Sequence, residues 1–283
     1  MRRGLVVLTV LATAAVSGCG GAREGLVVEG AAPTVPYDGP LYVPTEELDE
    51  DSARAVRLAS GAAGRALECD GEIYSGGGGE AWSEQDGGAT PEEGLAAYFD
   101  REQPDLPRSG YRVEREEGGR VLFSYDVAGR TKVAVVVAED RADRPGWGPE
   151  TSASCDPAEL PESFTDTLDV EIWTDEDGRR VPTTEISSSA GSAHCDWQRA
   201  HFLGLGAHRD RGLYARDPDG VLAPGMLNAA YDGDVPLPDG ARDTGYRLGA
   251  WRLWLTDDTS TAYVRTPDGV EAWPRVKDGV GCK

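Results

Sequence analysis

The chain has 283 residues, among them 37 Gly and 18 Pro, and 28 basic side chains stand against 50 acidic ones for a formal charge of −22. So acidic a balance nearly excludes phosphate binding through a basic surface, and no nucleic-acid partner is expected. Beyond residue 20 no apolar run reaches the ~20 residues that cross a bilayer, while seven Trp, ten Tyr and four Phe supply bulk for a core.

At the start, Arg2 and Arg3 precede the apolar run Leu5–Val16, followed by Ser17-Gly18-Cys19. A basic start, a short apolar stretch and small residues before a cut site describe an export signal, not a spanning helix. Val16-Ser17-Gly18-Cys19 resembles the lipobox of bacterial lipoproteins. The resemblance implies that residues 1–18 are a signal peptide, that Cys19 becomes the first residue and that its sulfur carries a diacylglycerol. Two acyl chains anchor firmly where one holds only marginally, so the expected location is the extracytoplasmic face of the cell membrane. General secretory and twin-arginine export both remain open, because Arg2-Arg3 is followed by Gly4 and Leu5.

Only Lys132, Lys277 and Lys283 are lysines, and Ala and Gly abound. Together with the lipobox, Arg65-Ala66-Leu67-Glu68-Cys69-Asp70, Pro107-Arg108-Ser109-Gly110-Tyr111-Arg112 and His194-Cys195-Asp196-Trp197-Gln198, the chain resembles uncharacterised lipoproteins of high-GC Gram-positive bacteria. That resemblance implies no activity.

Residues 19–44 are expected to form a tether, extended by Pro33, Pro36, Pro40 and Pro44, with Tyr37, Leu41, Tyr42 and Val43 able to dock. Residues 45–156 are expected to form an α+β unit. Thr45–Leu67 is predicted helical, weakened by Gly61 and Gly64, and Gly76–Gly79 is predicted to be a flexible loop. Thr90-Pro91-Glu92-Glu93 is a capping box, with hydroxyl at N-cap, proline at N1 and carboxylate at N3. It predicts a helix through about Glu102 that buries Leu95, Tyr98 and Phe99. Strands are predicted at Tyr111–Arg115, Val121–Val127, Lys132–Ala138 and Trp147–Cys155, with Gly118-Gly119 and Ala128-Gly129 at turns. The outline is like cystatin-like or nuclear-transport-factor-like sheets that wrap a helix, by shape alone.

Asp156–Ser163, with Pro157 and Pro161, reads as a linker into a β-rich unit over 157–283. There the turn Asp175–Gly178 separates predicted strands Val170–Trp173 and Arg180–Ile186. Leu213–Ala223 resembles Ala262–Ala272 at an offset of 49, each with an apolar strand upstream and a Pro-Asp-Gly turn. Two β-meanders of one design, or convergence on a good turn, explain this equally. The fold class is therefore α+β: a small helix-plus-antiparallel-sheet unit, then a β-rich one.

Setting Cys19 aside, Cys69, Cys155, Cys195 and Cys282 are an even set in an exported chain, which reads as two disulfides. Of three connectivities, Cys69–Cys155 with Cys195–Cys282 is favoured because each closes one contiguous unit.

His194, His201 and His208 are spaced seven and seven, which on a helix would suit a metal, but Gly204 and Gly206 interrupt any helix. They are weak metal candidates, and no metal or cofactor is expected. The acidic turns Asp175–Gly178, Asp217–Gly220 and Asp232–Asp234 suggest Ca²⁺, yet none completes a twelve-residue loop with its closing Glu. They also suit turns for backbone reasons. No G-x-S-x-G, S-x-x-K, H-E-x-x-H or P-loop occurs, and Ser187-Ser188-Ser189 near His194 read as polar residues before a turn. Trp173, Trp197, Trp251, Trp254 and Trp273 concentrate in the second unit, with Trp251 and Trp254 on opposite strand faces. The expectation is a non-catalytic binding or scaffold module at the cell envelope, whose partners are the membrane through its lipid and an envelope protein or glycan. The alternative is a hydrolase acting on cell-envelope polymers through paired carboxylates.

Overall fold

The computed structural model describes residues 26–30, 35–76, 87–141, 144–207 and 211–279. Cys19, His208, Cys282 and most of the Gly76–Gly79 run lie outside them. Among the described residues the chain is mixed α+β, with few helices and three sheets.

The first sheet is built from β1 (Val27–Val28), β2 (Ile73–Ser75), β3 (Ser109–Glu117), β4 (Arg120–Val127), β5 (Arg130–Arg141) and β6 (Arg144–Cys155). Its order is β1-β3-β4-β5-β6-β2, antiparallel except for β1, which lies parallel along β3. The two-residue turns joining β3 to β4 and β4 to β5 need positive φ at both positions. Gly118, Gly119, Ala128 and Gly129 all have it, and among these only Ala128 carries a Cβ into the left-handed region.

Successive side chains of a strand point to opposite faces, and here both faces are covered. On one lie Val133, Val135 and Val137 with Phe123 and Tyr111, under α3 (Pro91–Arg101), which contributes Leu95, Tyr98 and Phe99. On the other lie Ala134, Val136, Leu122 and Ala153, under Leu41 and the alanines of a second helical segment. This two-sided burial explains why β5 reads as an unbroken apolar run. Half of the capping box closes as expected, Thr90 Oγ1 accepting from the Glu93 N–H at 3.3 Å, while the Glu93 carboxylate reaches past the N-cap to the Ala89 N–H at 2.6 Å.

The single helix predicted for Thr45–Leu67 is instead two short ones, α1 (Ala53–Ala59) and α2 (Gly61–Ala66). Gly61 sits at φ +53° and breaks the run. Before Ser52, whose hydroxyl caps α1, the chain is not helical. The described part of the predicted tether is not loose either. Val27 N–H donates to Arg108 O, Tyr37 N–H donates to Glu114, and Arg115 holds the Gly39 carbonyl. Leu41 is buried, whereas Tyr42 stays exposed.

Cys69 and Cys155 are joined across 86 residues. Beside the bridge, the buried Lys132 ammonium donates to Glu159 at 2.6 Å and to the Glu68 carbonyl at 2.9 Å. Cys195 is not a free thiol, and its expected partner Cys282 lies outside the described residues.

Asp156–Ser163 is not a linker. It forms a 3-10 turn (Pro157–Glu159) and runs into α4 (Glu162–Thr165), and Leu160 and Phe164 belong to the core beneath α3. Prolines there set helix starts rather than an extended strap.

The remaining strands are β7 (Glu171–Ile172), β8 (Ile186–Ala190), β9 (His201–Leu205), β10 (Gly212–Arg216), β11 (Arg242–Leu248), β12 (Trp251–Leu255), β13 (Thr261–Thr266) and β14 (Gly269–Pro274). They make two four-stranded antiparallel sheets, β10-β9-β8-β7 and β11-β12-β13-β14. Antiparallel bridges Thr174–Arg247 and Tyr214–Arg275 stitch the sheets together at both edges. Each bridge covers part of a sheet edge that would otherwise invite pairing with another chain. Between the sheets are Trp173, Ile186, Leu203, Tyr214, Leu253, Val264 and Trp273.

One local expectation fails in this part. The strand predicted over Arg180–Ile186 begins only at Ile186, because Pro182 accepts from Glu185 and Ile186 in a turn. Ser187–Ser189 lie in β8, an inner strand of its sheet, ahead of the 3-10 turn Ala193–Cys195. The repeated segments also diverge. Both contain a strand paired with its upstream neighbour, but only the second continues as a hairpin into β14. In the first, the Asp217 carboxylate accepts from Val221 and Leu222 N–H and holds the chain in a loop.

Candidate functional site

A group of polar and aromatic side chains gathers on the facing sides of the two four-stranded sheets. Glu171 on β7 faces Ser188 on β8 in register, and Ser188 faces Leu203 on β9. His201 is two residues from Leu203 and so shares that face. The Glu171 carboxylate accepts from Ser188 Oγ at 2.5 Å and lies 2.7 Å from His201 Nε2. Two residues on, the buried Trp173 indole donates to Ser188 Oγ at 2.9 Å.

The chain of contacts continues across the core. The His201 ring meets Trp251 and Trp273 edge-on, with centroids 5.5 and 5.7 Å away, and the two indoles are 5.6 Å apart. Trp273 Nε1 donates to Glu271 at 2.8 Å. Glu271 receives Arg216 through Nε at 2.7 Å and Nη2 at 3.0 Å, and Arg216 lies over the Tyr231 ring. Trp173 and Trp273 are sealed inside, whereas Glu171, His201, Trp251, Arg216 and Tyr231 remain partly open to solvent. These partly open side chains, beside the edge-to-face Trp251–Trp273 pair, are called the ledge below.

Burial alone would raise the Glu171 pKa. Hydrogen bonds from His201 and Ser188, with the imidazole's charge, outweigh it and hold the carboxyl below its ordinary value. The bonds from Glu271 hold the Arg216 guanidinium more firmly protonated, and burial pushes the Tyr231 phenol up. Chemically the order matters. A serine nucleophile needs an imidazole at its hydroxyl, but Ser188 donates to a carboxylate and Glu171 stands between it and His201. A general acid of a glycosidase needs a carboxyl kept protonated, whereas Glu171 is held ionised and Glu271 is clasped by arginine.

Of the two described histidines, His201 alone joins this cluster. His194 is exposed on the 3-10 turn Ala193–Cys195, with Nδ1 2.5 Å from Ser192 Oγ, and His208 lies outside the described residues. Among the described residues the one grouping with metal-ligand geometry is Cys69, Cys155 and Glu159, and both sulfurs there are spent on their disulfide. The acidic turns use their oxygens locally. Asp175 accepts from the N–H groups of Asp177 and Arg179, and Asp232 from that of Asp234. Trp251 and Trp254 do point apart, Trp251 toward the core and Trp254 toward Arg265.

Glu171, Glu271 and Arg216 were not anticipated from sequence. A signal existed: Glu171-Ile172-Trp173 and Glu271-Ala272-Trp273 share a Glu-x-Trp spacing, which puts carboxylate and indole on one face of a strand. No protein-family model, curated protein or solved structure gave a significant match to the chain.

Proposed function

We propose that the chain is a lipid-anchored, extracytoplasmic binding module of the cell envelope, non-catalytic, with the ledge at Glu171, His201 and Trp251 receiving an envelope glycan. One observation carries the binding reading: the Glu171 and Glu271 carboxylates and the Ser188 hydroxyl are each bonded to other members of the cluster. Such a network presents fixed acceptors and aromatic rims and holds no activated nucleophile. Aromatic rings with polar neighbours suit the alternating apolar and hydroxylated faces of sugars.

The anchor rests on the sequence Val16–Cys19. No helix among the described residues is long and apolar enough to cross a membrane. Because Val27 is already paired with the sheet, a lipid on Cys19 would hold the folded body within about 30 Å of the bilayer at ~3.5 Å per residue. The reading also includes a second staple, Cys195–Cys282.

Co-sedimentation with purified peptidoglycan tests the ligand. Wild-type protein should pellet without releasing reducing sugar, and Trp251→Ala should weaken pelleting by about tenfold. Absence of pelleting overturns the glycan. Release of reducing ends that Glu171→Gln abolishes would favour the hydrolase instead. For the anchor, Cys19→Ala should accumulate precursor and lose retention on membranes after a high-salt wash; full retention overturns lipidation.

A further inference from the structure

The outer face of the sheet β10-β9-β8-β7 carries a feature that the ledge does not use. Ser187 on β8 and Leu213 on β10 both pair in register with Gly204 on β9, so a position without a side chain lies between them. Ser188 and Leu203, one step along the same strands, point inward to the core, and alternation therefore turns Ser187 and Gly204 outward. Arg211, two residues before Leu213, lies over the gap. Its Nη2 donates to Ser187 Oγ at 2.5 Å, and a Cβ on Gly204 would stand 2.1 Å from that nitrogen.

The guanidinium keeps bonding capacity. Nη1 reaches the Thr183 carbonyl only at 3.5 Å, and a guanidinium has more N–H donors than these bonds use. Among the described residues no carboxylate forms an ion pair with it. Asp156, bonded to the same Thr183, spends its oxygens on Thr183 and on the Ala158 N–H. Arg211 is exposed and lines a groove of about 400 Å³ whose apolar walls are Leu168, Val170, Phe202 and Leu213. A planar guanidinium matches a carboxylate with paired hydrogen bonds. The net charge of −22 opposes an anion only from a distance, and salt screens it beyond about 8 Å. Asp169, exposed on the same groove, disfavours a second negative charge there.

We propose that this groove binds a small monocarboxylate with a branched apolar body, its carboxylate on Arg211 and its body against Leu168, Val170, Phe202 and Leu213. A cavity of about 150 Å³ takes benzene, so the groove has room for a body of about four to six carbons. The site lies on the opposite face of the sheet from Ser188 and His201. It does not depend on the glycan reading, since its probes and variants share nothing with those of that test.

The probe is isovalerate, with isovaleramide and methylsuccinate as controls, titrated into the full mature chain by calorimetry and by backbone NMR. Isovalerate should bind saturably and shift resonances of Ser187, Gly204 and Leu213. Isovaleramide, which lacks the charge, and methylsuccinate, which adds one toward Asp169, should each bind about tenfold more weakly. Arg211→Gln should bring isovalerate down to the level of isovaleramide and leave isovaleramide unchanged, a pattern that mere destabilisation would not produce. Gly204→Ala keeps the charge but pushes the guanidinium off its seat, and should weaken isovalerate about tenfold. Asp169→Asn should bring methylsuccinate up to the level of isovalerate. Absence of saturable isovalerate binding, shifts confined to other regions, equal binding of isovaleramide, or full affinity in Arg211→Gln would each overturn the proposal. If Gly204→Ala does not fold, Arg211→Lys, which keeps the charge and loses the planar fork, replaces it with the same expected loss.

Discussion

Asp156 Oδ2 accepts both the backbone N–H and the hydroxyl of Thr183, each at 2.9 Å. Asp156 follows directly on β6, and Thr183 precedes β8, so this buried pair ties the six-stranded sheet to the closed pair of sheets. Tyr74 adds a bond of 2.7 Å to the same hydroxyl, and Arg180 reaches back to the Pro157 carbonyl and Thr165.

Asp156→Ala should therefore destabilise by about 1–3 kcal/mol, because it strands the buried Thr183 N–H. Thr183→Val is predicted to cost nearly as much, and the double variant to cost less than the sum. Denaturant melts of the three variants measure the coupling; additive losses would refute it.

The boundary between the halves is also testable. A fragment starting at Asp156 would carry Leu160 and Phe164 away from their core beneath α3. A fragment starting at Leu168 leaves them behind and keeps Trp173, Ile186, Leu203 and Trp273 together. The shorter fragment should melt cooperatively with buried-tryptophan emission, and the longer one should aggregate more readily. If only the longer fragment folds, the segment belongs to the second half after all.

Reduction should weaken the protein substantially. Chain-entropy reasoning for a loop of 86 residues assigns the Cys69–Cys155 bridge about 4–5 kcal/mol as an upper value. Non-reducing peptide mapping should recover this pair, and Cys195 with Cys282. A crossed pair would contradict the first bridge directly.

Glu102 follows α3, and burial raises its pKa from 4.5 to about 7, with Arg101 opposing. The folded state then holds a proton that the unfolded state releases, so stability should fall as pH rises from about 4.5 to 7. Glu102→Gln should remove that slope and raise the melting temperature at pH 8. An unchanged pH profile would show that the carboxyl is effectively solvated.

Glu171 has the opposite sign. Its carboxyl is depressed by His201 and Ser188, so its contribution is present above the ordinary glutamate pKa and is lost as pH falls through the lower folded value. Glu171→Gln should flatten the acid limb of the stability curve, measured by thermal melts between about pH 2.5 and 5. A limb as steep as that of the wild type would place the acid sensitivity elsewhere.

The sequence by itself determined the local frame of the first half. β3 through β6, their two tight turns and the capped helix α3 follow from strand-length apolar runs, glycines at the turns and a capping box. Each is a short-range preference that one stretch of chain expresses alone. Tertiary structure decided the rest. Whether Asp156–Ser163 spans a gap or packs depends on a vacancy under α3 that Leu160 and Phe164 fill, and prolines are compatible with both. The parallel docking of Val27–Val28 depends on the free edge of β3. Glu171, Ser188, His201 and Trp273 come from four different strands, and nothing local to any of them encodes the others. Sheet closure brings them together because pairing joins residues far apart in the chain, and only the completed register says which side chains share a face.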